Sequence, residues 1–352
     1  MKQRLYEYHQ GAVVFNMVAF WVEKRRRQAM ADLDGDADKV LERVKREVRE
    51  DLRLDYLVTG SWSLKASQEA ANLLAPLGGK PVNVAVDARK NGKFGDIPKE
   101  EAWSLTPHGA ALVYYCDNET VDGVEFPAMP QRLQDNDCVV ADMSSNFLSR
   151  PFNVDRYAVI FGGAQKNVGI TGVTLVIVRK DVLDPINTAF LHSVGVSSPP
   201  AVFDYRNVSK SLSLYNTMPV FDIWIAGKVV RGLLEEHGDQ KLVGQEKVSD
   251  SKAKLIYDIL DAHPETYQVV PQKSVRSRMN ICFRVGNGDA DSEKEFLQGA
   301  ERKLLQGLKG HRSVGGVRFS NYNAVTVDNV QRLASYLQEF ADLQSGQMNG
   351  SS

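Results

Sequence analysis

The chain has 352 residues, 43% of them apolar and 25% charged, with a formal net charge of -1. That length corresponds to about two domains with ample core, and the near-neutral balance excludes a bulk nucleic-acid- or membrane-binding surface. Three widely spaced cysteines, Cys116, Cys138 and Cys282, show no CxxC spacing, so they point to no metal site and no disulfide framework and suit a reducing, cytoplasmic compartment. In chain order, "GAVVFNMVAFWVEKRRR" comes first. Its apolar run is too short to span a bilayer, lacks a small-residue cleavage site and is followed, not preceded, by positive charge, so it reads as a buried helix rather than a signal peptide. Residues 12–58 are predicted helical, with "ADKVLERVKREVREDL" exposing a charged, solvated face. Short apolar runs follow: "YLVTG", "VNVAV", "AALVYYC", "CVVADM", "AVIFGG" and "VTLVIVR". Several are continuous rather than alternating, as in strands buried on both faces. Helix-compatible segments such as "LKASQEAANLLAPL" lie between some of them, which predicts an α/β sheet with helices on both faces. From about residue 245 the pattern becomes that of a smaller α+β unit: a helix and strand in "KVSDSKAKLIYDILDAHPETYQVV", a strand in "RMNICFRVGN", and amphipathic helices on either side of "SVGGVRFS". The division predicted is therefore a large domain over 1–245, a small one over 246–345 and a polar, disordered tail over 346–352.

Ligands of open α/β sheets bind beyond the carboxyl ends of the strands. Trp62, Thr120, Asp142 and Lys166 all follow such ends. Taken singly, Trp62 also suits core filling, Thr120 and Asp142 suit turn or helix caps, and Lys166 suits a solvated loop. Together they form a pattern that one cofactor explains. A lysine amine forms a Schiff base with the aldehyde of pyridoxal phosphate, a carboxylate keeps that cofactor's ring nitrogen protonated, and an indole covers the ring face. Further on, "GHRSVGGVRFSNYN" holds His311, Arg312 and Arg318 around a Gly-Gly, which suits a substrate with two anionic ends and equally a charged surface loop.

The stretch "MSSNFLSRPFNVDRYAVIFGGAQKNVGITGVTLVIVRKDVL", with "YYCDNETVDGVEF", "SLYNT" and "GHRSVGGVRFSNYNAV", resembles the phosphoserine aminotransferases of the class V aminotransferase family, over about residues 11–343. The resemblance implies pyridoxal-phosphate fold type I, like aspartate aminotransferase: a mostly parallel central sheet flanked by helices and a smaller α+β C-terminal domain. It implies a homodimer with shared active sites, and transfer of an amino group between glutamate and 3-phosphohydroxypyruvate, giving phosphoserine and 2-oxoglutarate, in serine synthesis and also in pyridoxine synthesis. Nucleic acid and membrane are not expected partners. Residue by residue, Lys166 matches the Schiff-base lysine and Asp142 the pyridinium partner. Trp62, Thr120 and Gln165 match cofactor contacts, and Asn216 with Thr217 the pair that reaches the neighbouring subunit's cofactor phosphate. His311, Arg312 and Arg318 match the substrate anion site, with Arg318 on the α-carboxylate. The family's "GPGP", "SHRS"-type and "GGG"-type motifs are not in this chain, which reads as N-terminally truncated by several dozen residues. Tyr8, His9 and Gln10 stand where a glycine turn is expected to open the first helix at Gly11. Two other readings follow: an impaired isoform that serves only as a structural dimer partner, and a pyridoxal-phosphate lyase on the same fold.

Overall fold

A computed structural model describes residues 2–107 and 109–349. Helix α1 (Lys2–Asp32) turns through Asp34 and Gly35, both at positive φ, into α2 (Ala37–Glu50), whose first turn is capped by the Asp36 carboxylate accepting from the Lys39 amide. The apolar run inside α1 is buried: Val13, Val14, Met17, Val18 and Val22 have almost no exposed surface. Two expectations change here. The helical stretch gives way to strand β1 (Leu54–Val58) instead of running to 58, and α1 begins at Lys2 rather than at Gly11. No proline precedes Gly11, and the residues between are compatible with helix, so the chain winds straight through the glycine.

After β1 come α3 (Ser61–Leu74), β2 (Val82–Asp87) and β3 (Leu112–Cys116), then a short hairpin of β4 (Asn118–Glu119) and β5 (Val124–Glu125), then β6 (Val139–Asp142), β7 (Val159–Gly163) and β8 (Thr174–Val178). The main sheet has the order β2-β1-β3-β6-β7-β8. Its first five strands are parallel and β8 runs antiparallel at the edge. Strand side chains alternate between faces. Tyr56, Tyr114, Val140 and Phe161 therefore join the core under α1, α2 and α3, while Leu57, Val113, Tyr115, Val139, Ala141 and Ile160 join a second core on the opposite face. Burial on both faces is what made these runs continuous in sequence.

Helices α4 (Thr188–Ser193), α5 (Tyr205–Lys210), α6 (Val220–His237) and α7 (Lys241–Ala262) lead to an antiparallel sheet of order β11-β10-β9. It is formed by β9 (Tyr267–Val269), β10 (Asn280–Val285) and β11 (Val317–Ser320), together with α8 (Ala290–Arg302) and α9 (Val327–Asn349). A third core, drawn entirely from residues between Ala253 and Ala341, fills this smaller unit. Phe283, Phe296, Tyr267 and Phe340 meet there edge to face. Helix α9 continues to Asn349, so the first residues of the expected tail are helical, and 350–352 lie outside the described residues.

Candidate active site

Thr59–Gly60, Asp117–Thr120, Asp142–Ser144 and Ala164–Lys166 all follow the carboxyl ends of parallel strands β1, β3, β6 and β7, so the fold gathers their side chains at one edge of the sheet. Lys166 donates from Nζ to Thr120 Oγ1 at 2.7 Å. The Thr120 carbonyl accepts from Arg318 Nη1 at 3.3 Å, so one residue of the large unit holds both the amine and a guanidinium delivered by β11 of the small one. Arg318 Nε is buried without a hydrogen-bond partner, and no carboxylate pairs with this guanidinium among the described residues. A half-buried guanidinium with a buried, unbonded Nε is suited to receive an incoming anion.

Asp142 is buried at the tip of β6. Its Oδ1 accepts from the Ser144 amide at 2.9 Å and from Ser144 Oγ at 2.5 Å, while Tyr114 Oη points at its Oδ2 from 3.4 Å. Ser144 and Tyr114 were not singled out in the sequence. The D-x-S spacing is a readable Asx-turn signal, whereas the tyrosine comes from a separate strand. His9, brought in by the first turns of α1, bonds Thr174 Oγ1 through Nε2 at 2.9 Å and stands 5.9 Å from the Phe161 ring. Burial pushes its imidazole below the usual histidine range, partly offset by the Asp142 charge.

Trp62 lies in the first turn of α3, with Lys65 Nζ 4.7 Å from its ring centroid. Its amide donates to Glu119 Oε2 at 2.8 Å, which joins the indole to the strand end that carries Thr120. His311 and Arg312 sit on a tight loop whose Gly315 and Gly316 both have positive φ, the conformation that makes this Gly-Gly necessary. His311 shares a 2.7 Å hydrogen bond with Ser313. Burial, then the charges of Arg318, Lys65 and Arg312, lower its pKa, so these three cations and the imidazole share one electropositive neighbourhood. Lys65 was missed in the sequence because a helical lysine looks like any solvated one.

Gln165 is exposed beside Lys166. Asn216 and Thr217 are exposed on the connection between α5 and α6, and among the described residues they share no hydrogen bond with the other candidates. The fold therefore brings together Lys166, Thr120, Arg318 and the backbone of Trp62, places Asp142 on an adjacent strand end, sets His311 and Arg312 at the rim, and leaves Asn216 and Thr217 facing outward. A single amine held by a hydroxyl, a buried carboxylate oriented by a serine, and a nearby indole are the donor set that a pyridine aldehyde needs. The residues present fit pyridoxal phosphate on its ring side. At the head of α1 the backbone is continuous helix through Gly11, so the amides there are taken up in the helical ladder.

The family profile for aminotransferase class-V matches residues 45–333. The chain is 43% identical over 296 residues to the phosphoserine aminotransferase of Saccharomyces cerevisiae, covering 82% of this chain and 72% of that one. It is 42% identical over 288 residues to that of Drosophila melanogaster, covering 81% and 73%. Among solved structures, the phosphoserine aminotransferase from Bacillus circulans subsp. alkalophilus superposes with a TM-score of 0.73 at 31% identity, over 92% of this chain and 87% of that one. A phosphoserine aminotransferase from Trichomonas vaginalis with bound pyridoxal phosphate gives 0.71 at 32%, with the same coverage of each chain.

Proposed function

The chain belongs to the phosphoserine aminotransferases of the class-V aminotransferase family, and from that premise we propose that it transfers an amino group between glutamate and 3-phosphohydroxypyruvate with pyridoxal phosphate, in serine synthesis. The observation that carries the proposal is the joint at Thr120. Its hydroxyl holds the Lys166 amine while its carbonyl holds an Arg318 guanidinium that has no anionic partner among the described residues.

When bound, pyridoxal phosphate supplies an electron sink for the bonds at the substrate's Cα. Lys166 would bond the cofactor's aldehyde carbon and, once freed, carry the Cα proton on Nζ as general base and then acid. The Asp142 carboxylate, turned by Ser144, would face the ring nitrogen. Trp62 would cover the ring, and Thr120 and Gln165 would contact the cofactor. Arg318 would grip the α-carboxylate in its planar fork, and His311 with Arg312 the phosphate or distal carboxylate.

The connection before α6 and its first turns expose Leu212, Leu214, Val220, Phe221 and Trp224, the first at 84% and the tryptophan at 55%. So contiguous an apolar face is costly in water. It supports a homodimer in which Asn216 and Thr217 reach the partner's cofactor phosphate. Trp224→Asp is expected to shift the sedimentation coefficient from dimer to monomer, and a monomeric wild-type protein overturns the assignment. All three cysteines are free and buried, which supports the cytoplasm as its compartment.

The test of the site is covalent. Borohydride added to protein loaded with pyridoxal phosphate should add the cofactor's mass to the peptide that contains Lys166, and Lys166→Ala should take up none and lose transamination of phosphoserine with 2-oxoglutarate. The mass on another lysine overturns the assignment. One observation favours a second reading, a subunit that pairs but turns over poorly: α1 runs unbroken through Gly11 and leaves no free amides there for an anion. Cofactor affinity, measured by titrating the protein with pyridoxal phosphate, separates the two. A dissociation constant in the micromolar range or below supports the enzyme, and one near millimolar supports the impaired subunit.

A further inference from the structure

The tripeptide Asn118–Glu119–Thr120 bonds the Trp62 amide, Lys166 and Arg318, and its central residue has no role in the assignments above. Glu119 is fully buried. Its Oε2 accepts from the Trp62 amide at 2.8 Å and its Oε1 from the Ser63 amide at 2.9 Å, so both carboxyl oxygens cap the first turn of α3. Asp122 takes the third amide of that turn, Ser61, at 2.7 Å. The backbone of Glu119 continues into Thr120, which holds Lys166 and Arg318. On its other side Asn118 donates from Nδ2 to Ser145 Oγ at 2.7 Å, on the loop after Asp142, and to Asn280 Oδ1 at 2.8 Å in the small unit. Gly60 is the floor against which the Glu119 side chain lies. A Cβ at residue 60 would collide with the Glu119 side chain, whose far end is already fixed by two amides.

We propose that Glu119 is a positioning residue for the reaction: its carboxyl group sets the height of the Trp62 ring relative to the Thr120–Lys166 pair, and so fixes the slot that receives the cofactor ring. Glu119 accepts from the Trp62 amide and is covalently adjacent to Thr120, the hydrogen-bond partner of Lys166, so it links the two sequence-distant residues. The proposal rests on the assignment of Trp62, Thr120 and Lys166 to the cofactor site.

Two variants approach the same slot from opposite sides. Glu119→Ala removes both acceptors of the α3 amides, and Gly60→Ala pushes the Glu119 side chain from below. Each is loaded with pyridoxal phosphate and measured by visible circular dichroism, which reports the asymmetric contacts of the bound ring, and by steady-state kinetics. In any variant that retains a cooperative melting transition, the visible dichroism per bound cofactor should fall at least twofold. Its kcat for phosphoserine should fall roughly a hundredfold, the loss typical of a misplacement near 1 Å, with a much smaller change in KM. Wild-type dichroism and kcat in either folded variant overturn the proposal and leave Glu119 as a helix cap alone. A wild-type protein with no visible band overturns the aminotransferase reading, and this proposal with it.

Discussion

Replacing Arg318 by alanine should separate binding from folding. Among the described residues the guanidinium makes one hydrogen bond, a 3.3 Å contact from Nη1 to the Thr120 carbonyl, and its buried Nε has no partner. Its removal therefore leaves no carboxylate stranded, in contrast to the usual consequence of deleting half of a buried ion pair. A hydrogen bond to a charged group contributes about 1.5–3 kcal/mol. Losing one such bond to the substrate carboxylate weakens binding by roughly ten- to a hundredfold, and losing a bidentate pair weakens it further. Phosphoserine and glutamate share the α-carboxylate, so KM should rise for both. Arg318→Lys keeps the charge but not the fork and should fall between. The assay is steady-state kinetics in both directions beside thermal melting of the same samples. Unchanged KM for both substrates, or a melting temperature that collapses in Arg318→Ala, refutes the reasoning that this cation waits for a ligand.

Arg150 is the opposite case. Its Nη2 bonds both oxygens of buried Asp117 at 2.9 and 2.7 Å, so Arg150→Met should cost about 3–5 kcal/mol in chemical denaturation, and a cost below about 1 kcal/mol would show the pair to be dispensable. Burial, and then the neighbouring Asp122 carboxyl, push Glu119 up to about 8, and burial raises Asp122 as well. These groups hold protons in the folded chain at pH values where the unfolded chain has released them, so their contribution to stability is full below the ordinary carboxyl range near 4.5 and is lost as pH rises toward 8. Melting temperature should fall over that window, and Glu119→Gln should flatten the slope; a slope of opposite sign that the variant leaves unchanged contradicts the shift.

The sequence by itself determined the six strands of the main sheet and the buried first helix. Continuous apolar runs are dictated by burial on both faces, and the alternation of Tyr114 with Val113 and Tyr115 divides one strand between two cores. A lysine, an aspartate and an indole after strand ends were legible because the loops beyond a parallel sheet are where its ligands bind. Motif resemblance added the identity of the substrate class. Local pattern could not supply what depends on chain-distant approach. The antiparallel β8, the Tyr114 hydroxyl near Asp142, Lys65 among the cations and Glu119 under Trp62 each arise from segments that are apart in sequence and meet only in the fold. A residue's own neighbours fix its propensity, but hydrogen bonds such as Trp62 to Glu119, 57 residues apart, are set by where the sheet delivers each strand end. The joint at Thr120, which brings an amine from the large unit and a guanidinium from the small one onto a single residue, exists only once both cores have packed.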